Sequence, residues 1–195
     1  MFRHGGHLHH RGHEPDALVD EVVKALNLSE GMIVADLGSG PGRFSIPLAR
    51  AVGRSGRVYA IDIDEGSLKE LANEASSYGL NNVETIRADL SQGIPLQPSS
   101  VDVALMANAL HGFMHAGVGP FIVREVERIL KSGGLFVVVE FKKSITSFGP
   151  PPWIRVSPDE VIDLVKGSSQ SLAIEGRIDD VGRSHYLLKF RKTRG

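Results

Sequence analysis

The 195-residue chain contains no cysteine. Disulfides, thiolate metal sites and cysteine nucleophiles are thereby excluded, and nothing in the composition calls for an oxidising compartment. Neither sign of charge is in excess: 22 Lys and Arg face 23 Asp and Glu, a net charge of −1. Such a chain is no electrostatic magnet for nucleic acid. The one basic stretch, "KFRKTR" from Lys189 to Arg194, reads as a solvated chain end. No apolar run approaches the roughly 18 residues of a membrane span, and the N-terminus lacks the apolar core of a secretory signal. A cytoplasmic protein with neither membrane nor nucleic acid as partner is expected. What is present, 42% hydrophobic and 23% charged residues, suits one globular domain with a real core.

Five of the eight histidines fall in "MFRHGGHLHHRGH" at the start. Their spacing defines no coordination geometry, so residues 1–14 are expected to be a flexible His-rich arm without a dedicated metal site. Residues 15–195 are expected to form a single domain. Leu18, Val19, Val22, Val23 and Leu26 recur at helical spacing. Then follow strand "MIVADL", helix "RFSIPLARAV", strand "RVYAID", helix "EGSLKELANEASSYG", strand "VETIRAD" and strand "VDVALMAN". Next come helix "VGPFIVREVERILKSGG", strand "LFVVVEF" and a helix from about Pro158 to Lys166. Strands that are apolar throughout and alternate with helices imply a parallel sheet covered on both faces. The last two strands, "SLAIEGRI" and "SHYLLKF", are joined only by "DDVGR" and must form an antiparallel hairpin. The expected fold is α/β, doubly wound and Rossmann-like: a mostly parallel seven-stranded sheet ending in that hairpin.

In such sheets a ligand sits beyond the C-terminal ends of the strands. After the first strand stands "DLGSGPG", with glycines at 38, 40 and 42. The dinucleotide fingerprint G-x-G-x-x-G needs its third glycine at position 43, where Arg43 stands. Glycine allows positive φ and close approach of a ligand to the backbone, and the following helix N-terminus favours an anionic group. After the second strand, Asp62 lies at the offset from the loop where a carboxylate accepts from both ribose hydroxyls, and Ile63 offers an apolar face to a base. Asp64 suits a helix N-cap instead. After the third strand, Asp89 can accept from an exocyclic amino group, beside the backbone N–H of Leu90.

The succession "ADLGSGPG", "AIDID", "RADL", "DVALMANALHGF" and "RILKSGGLFVVVEF" resembles a class I S-adenosylmethionine-dependent methyltransferase, of the group typified by ubiquinone and menaquinone biosynthesis. The resemblance covers about residues 15 to 192. It implies S-adenosylmethionine as cofactor and S-adenosylhomocysteine as product. It also implies that Asp36, Gly38, Ser39, Gly40 and Gly42 hold the methionine part, and that Asp62 binds the ribose. Ile63 would pack on the adenine, Asp89 and Leu90 would contact its edge, and Asn108 would lie near the transferable methyl.

A sulfonium cofactor supplies most of the electrophilic drive, and the protein must place the acceptor in line. His111, after the fourth strand, is the candidate catalytic residue, as a base or as a histidine that caps its loop. Glu140, ending the fifth strand, is a weaker candidate that can instead pair with Lys142 or Lys143. Base-methylating enzymes typically show Asn/Asp-Pro-Pro-aromatic after the fourth strand, and arsenic-methylating relatives use cysteines. Here "NALH" stands and cysteine is absent, which leaves a small-molecule methyl acceptor. Phe148 and Trp153 can wall its pocket, pack on the sheet edge or form a homodimer contact. A protein that binds the cofactor without transfer, and a nicotinamide-dependent oxidoreductase, are the rival readings.

Overall fold

Seven strands assemble into one sheet of order β3-β2-β1-β4-β5-β7-β6. The computed structural model describes residues 17–144 and 148–193. The His-rich arm expected over residues 1–14 lies outside them. The strands are β1 (Ile33–Leu37), β2 (Arg57–Asp62), β3 (Val83–Arg87), β4 (Val101–Ala107), β5 (Leu130–Phe141), β6 (Leu172–Val181) and β7 (His185–Lys192). The helices are α1 (Ala17–Leu26), α2 (Ser45–Ala51), α3 (Glu65–Ser77), α4 (Leu110–His115), α5 (Gly119–Ile129) and α6 (Pro158–Ser168). The first five strands are mutually parallel, and β7 runs antiparallel to both β5 and β6.

Alternation along each strand sends side chains to two separate cores. Ala35, Met106, Phe136 and Val138 meet α5 and α6 on one face. Val34, Val103, Leu105 and Val137 meet α1 and α2 on the other. Leu71 and Ala75 seat α3 over Ala60 and Ile46. Both faces of the central strands are covered, which is why β1 and β4 carry one polar side chain each, whereas the edge strand β3 carries Glu84, Thr85 and Arg87. Among the described residues no helix is long and apolar enough to cross a membrane.

Three departures from the sequence expectation exceed a residue or two at the end of an element. The helix expected to reach Gly134 stops at Ile129, because Leu130 is already extended (φ −69°, ψ 135°) and Gly133 has φ 75°. The stretch from Leu130 instead joins β5, irregularly paired to β4 until Leu135 faces Val103. The loop after β4 contains the short helix α4, whose six residues are too few to show a period. Finally β6 runs on to Val181, so "DDV" belongs to the strand. The turn is Gly182–Arg183, with φ of 54° and 67°, the pair of positive values a tight hairpin needs.

Candidate functional site

The strand order reverses between β1 and β4, since β2 and β3 lie on one side of β1 and β4 onward on the other. Crevices form at such switch points beyond the strand ends. The glycine loop stands there. Gly38 and Ser39 donate their amides to the Ile61 carbonyl at 2.8 and 3.1 Å, lashing the loop to β2. All three glycines have positive φ: 79° at Gly38, 51° at Gly40 and 95° at Gly42. They do different work. A Cβ on Gly38 would stand 2.9 Å from that of Ala109, and one on Gly42 would strike the Leu71 side chain. A Cβ on Gly40 would meet nothing within 4 Å. Gly38 and Gly42 are packing positions, and Gly40 is the backbone that faces open space.

Two carboxylates underlie this loop. Asp36 is 2% exposed and accepts from the Ser45 hydroxyl at 2.6 Å. Burial raises its pKa to about 6 against the partial relief of that hydrogen bond, and the neighbouring Asp62 adds to the rise. Asp62 accepts from the Gly40 amide at 2.8 Å through Oδ2 and from the Asp64 amide at 2.9 Å through Oδ1. Each oxygen retains acceptor capacity. Ile63 beside it is 61% exposed, an apolar side chain left bare at the crevice. Asp64 caps α3 by accepting from the Ser67 amide, as expected.

At the end of β3, Asp89 is exposed and caps a short 3-10 turn over Leu90–Gln92 through the Ser91 amide. The Leu90 side chain turns into the core, so only its backbone faces the crevice. At the end of β4, Asn108 takes φ 56° while its amide donates to the Val139 carbonyl at 2.8 Å. Its side-chain Oδ1 is buried and has no partner. Ser39 is nearly buried within the loop.

His111 and Glu140 form a pair that spans α4 and β5. The His111 ring lies 2.9 and 3.1 Å from the two Glu140 oxygens through Nδ1, and its backbone amide donates to Glu140 Oε1 at 3.0 Å. Glu140 is 1% exposed. Its hydrogen bond raises the His111 pKa above the ordinary 6.5, against the opposing effect of burial. The lysines expected as alternative partners are engaged elsewhere, Lys142 with Asp180 and Lys143 with Glu160. An acidic residue closing an otherwise apolar buried strand was the signal for this pair, but its partner sits in a helix too short to foresee.

The segment after β5 is gathered by Arg155, which is 2% exposed. Its guanidinium donates to the carbonyls of Lys142, Ser144, Phe148 and Pro150 at 2.6 to 3.1 Å and stacks over Phe141. Sequence reading passed over Arg155. Phe148 meets Phe141 edge-on and lines a cavity of about 510 Å³ with Arg43 and His185. Trp153, the other expected wall residue, is 79% exposed and lies outside that lining. Among the described residues no cluster of three His, Asp or Glu side chains resembles a metal site.

Known proteins resemble this chain in sequence and in fold. A demethylmenaquinone methyltransferase of Geobacillus stearothermophilus is 30% identical over 131 residues, covering 66% of this chain and 53% of the relative. The Escherichia coli ubiquinone/menaquinone biosynthesis C-methyltransferase UbiE is 30% identical over 124 residues, 63% of this chain and 48% of the relative. The chain thus spans about half the length of these curated relatives. A crystal structure of an S-adenosylmethionine-dependent methyltransferase from Aquifex aeolicus superposes with a TM-score of 0.81 at 27% identity, covering 90% of this chain and 89% of that one. A family profile described as a methyltransferase domain matches residues 28–173. With its sheet order, its glycine loop and a match over most of its length, the chain belongs to the methyltransferase-domain family.

Proposed function

We propose that the chain is an S-adenosylmethionine-dependent methyltransferase acting on a small-molecule acceptor. The observation that carries this reading is the convergence of Gly40, Asp62 and Asn108 at the β1/β4 switch point, with Gly40 open and the Asn108 oxygen unpartnered. A buried acceptor without a donor costs about 1–3 kcal/mol, and an ammonium group arriving from a ligand would relieve that cost. The residues fit the cofactor in kind. Gly38, Ser39, Gly40 and Gly42 with Asp36 shape a loop for its amino-acid end. Asp62 keeps acceptor capacity on both oxygens, which suits two ribose hydroxyls, Ile63 offers an apolar face for a purine, and Asp89 with the Leu90 amide can read the purine edge.

When bound, the cofactor supplies an activated methyl on a sulfonium. The protein's part is to orient the acceptor and exclude water. Two acidic side chains, Asp36 and Asp62, give the crevice a negative field that favours the cationic form of the cofactor over its neutral product. The names of the relatives favour a small aromatic acceptor.

Calorimetric titration with S-adenosylmethionine, S-adenosylhomocysteine and NAD tests the reading. Micromolar binding of the first two, without NAD, is expected, followed by detection of a methylated product by mass spectrometry. Binding of NAD alone would replace this reading with an oxidoreductase.

A further inference from the structure

We infer that the cavity between α1, the end of β5 and the β6–β7 turn is the acceptor pocket, and that it takes an aromatic ligand carrying a carboxylate, with Arg183 as the anchor. The inference rests on the methyl-transfer reading above and adds the class of acceptor.

The cavity stands where an acceptor can meet the cofactor crevice. Strand order places β5 directly after β4, with β7 beyond it, and ligands of such sheets sit beyond the C-terminal ends of the parallel strands. Phe141, the last residue of β5, lines the cavity, and Arg43, next to Gly42, lines it from the side of the glycine loop. Its volume of about 510 Å³ suits a small molecule. Much of the apolar lining is aromatic. Phe141 and Phe148 meet edge-on at 5.9 Å between ring centroids, and the His185 ring packs on Phe141 at 4.0 Å. Rings so arranged offer faces and edges to a further ring. Leu18 of α1 adds an aliphatic side.

The charged part of the lining is dominated by guanidinium. Arg43 and Arg183 stand against one carboxylate, Glu21. That carboxylate is engaged, since its Oε2 accepts from the Gly182 amide at 3.0 Å. The acids nearest to Arg183 in sequence are answered elsewhere, Asp179 by Arg177 and Asp180 by Lys142. Arg183 itself is exposed, and among the described residues its side chain makes no ion pair. A planar guanidinium of this kind matches a carboxylate with two parallel hydrogen bonds. The positive lining stands beside the negative field of Asp36 and Asp62, so an anionic acceptor and a cationic cofactor are drawn to neighbouring places.

The hairpin turn singles out Arg183. Gly182 is dictated by packing, because a Cβ there would stand 2.6 Å from that of Leu18. Arg183 holds φ 67°, a conformation that glycine or asparagine takes with less strain. Turn chemistry gives no reason for arginine at this position. A guanidinium at the rim of an aromatic cavity does.

The test is calorimetry on the full chain saturated with S-adenosylhomocysteine. 1-Naphthylacetate and anthranilate are titrated beside their neutral amides, 1-naphthylacetamide and anthranilamide. Each acid should bind at least ~10-fold more tightly than its amide, the usual worth of a charge-assisted hydrogen bond, and added salt should shrink that ratio. Arg183→Gly and Arg183→Asn, both at ease with the turn, should unfold at no lower temperature than the wild type and bring the ratio close to one. Arg183→Lys should retain part of it. Glu21→Gln, which keeps an oxygen for the Gly182 amide, should tighten the acids and leave the amides unchanged. Equal binding of acid and amide, or an undiminished ratio in the folded Arg183 variants, would overturn the inference. So would binding of neither acid, or acids that bind the unliganded protein and are displaced by S-adenosylhomocysteine, since they would then occupy the place of the cofactor's own carboxylate. Failure of S-adenosylhomocysteine to bind the wild-type protein would refute the methyl-transfer reading itself, whereas intact binding confines any failure to the acceptor pocket.

Discussion

Asp36→Asn is expected to stabilise the folded protein at neutral pH. Burial lifts the Asp36 pKa from 3.8 to about 6. A rise of about two units, at ~1.4 kcal/mol each, is a cost of ~3 kcal/mol for carrying the charged form in the fold. The sign follows from proton counting. Between pH 3.8 and about 6 the folded state holds a proton that the unfolded chain has lost, so stability falls as pH rises through this window and then levels off. Asparagine is neutral throughout and keeps an oxygen for the Ser45 hydroxyl, though it forfeits the stronger bond to a carboxylate, worth ~1 kcal/mol. The net gain is about 1–2 kcal/mol. Urea unfolding at pH 4 and pH 8 is the assay. The variant should exceed the wild type at pH 8 and lose that advantage at pH 4. An Asp36→Asn protein less stable than wild type at pH 8 would refute the burial argument. In the same variant S-adenosylmethionine should bind more weakly, because a negative charge has left the crevice.

Asp62→Ala removes two charge-assisted hydrogen bonds that hold Gly40 and Asp64, and should weaken S-adenosylhomocysteine binding by about 2–4 kcal/mol in calorimetry; unchanged affinity in a folded variant would remove Asp62 from the site. The glycines should separate by function. Gly42→Ala forces Leu71 aside and should cost about 2–3 kcal/mol in thermal unfolding, whereas Gly40→Ala should cost about 1 kcal/mol of stability yet impair binding more. Arg155→Met should destabilise by about 2–3 kcal/mol, since four part-buried carbonyls lose their donor together, and proteolysis should then open the chain between β5 and α6; a resistant variant would show that the guanidinium is dispensable.

Most of the scaffold was legible because burial on two faces writes itself into the strands as unbroken apolar runs, and "IVADL" or "VALMA" leaves little room for another reading. The glycine loop was legible as a motif, but its division of labour was not, since which glycine packs against Ala109 or Leu71 depends on elements distant in sequence. The end of α5 was missed because Leu130 continues the helical period while its backbone has already left the helix. His111 was visible as a candidate and Glu140 as a weaker one. Their pairing was hidden by a separation of 29 residues and by two nearby lysines that offered a more local partner.

The Arg155 clamp has a consequence for how this scaffold can change. The guanidinium binds main-chain carbonyls, which every residue type supplies alike. The backbone at Lys142, Ser144 and Pro150 is therefore held whatever side chains those positions bear, whereas Gly149, with φ 83° and the Phe141 ring where a Cβ would stand, must stay glycine. Positions 142, 144 and 150 are thus natural places to randomise in a search for variants with new acceptors, with Arg155 left in place as the fixed mount.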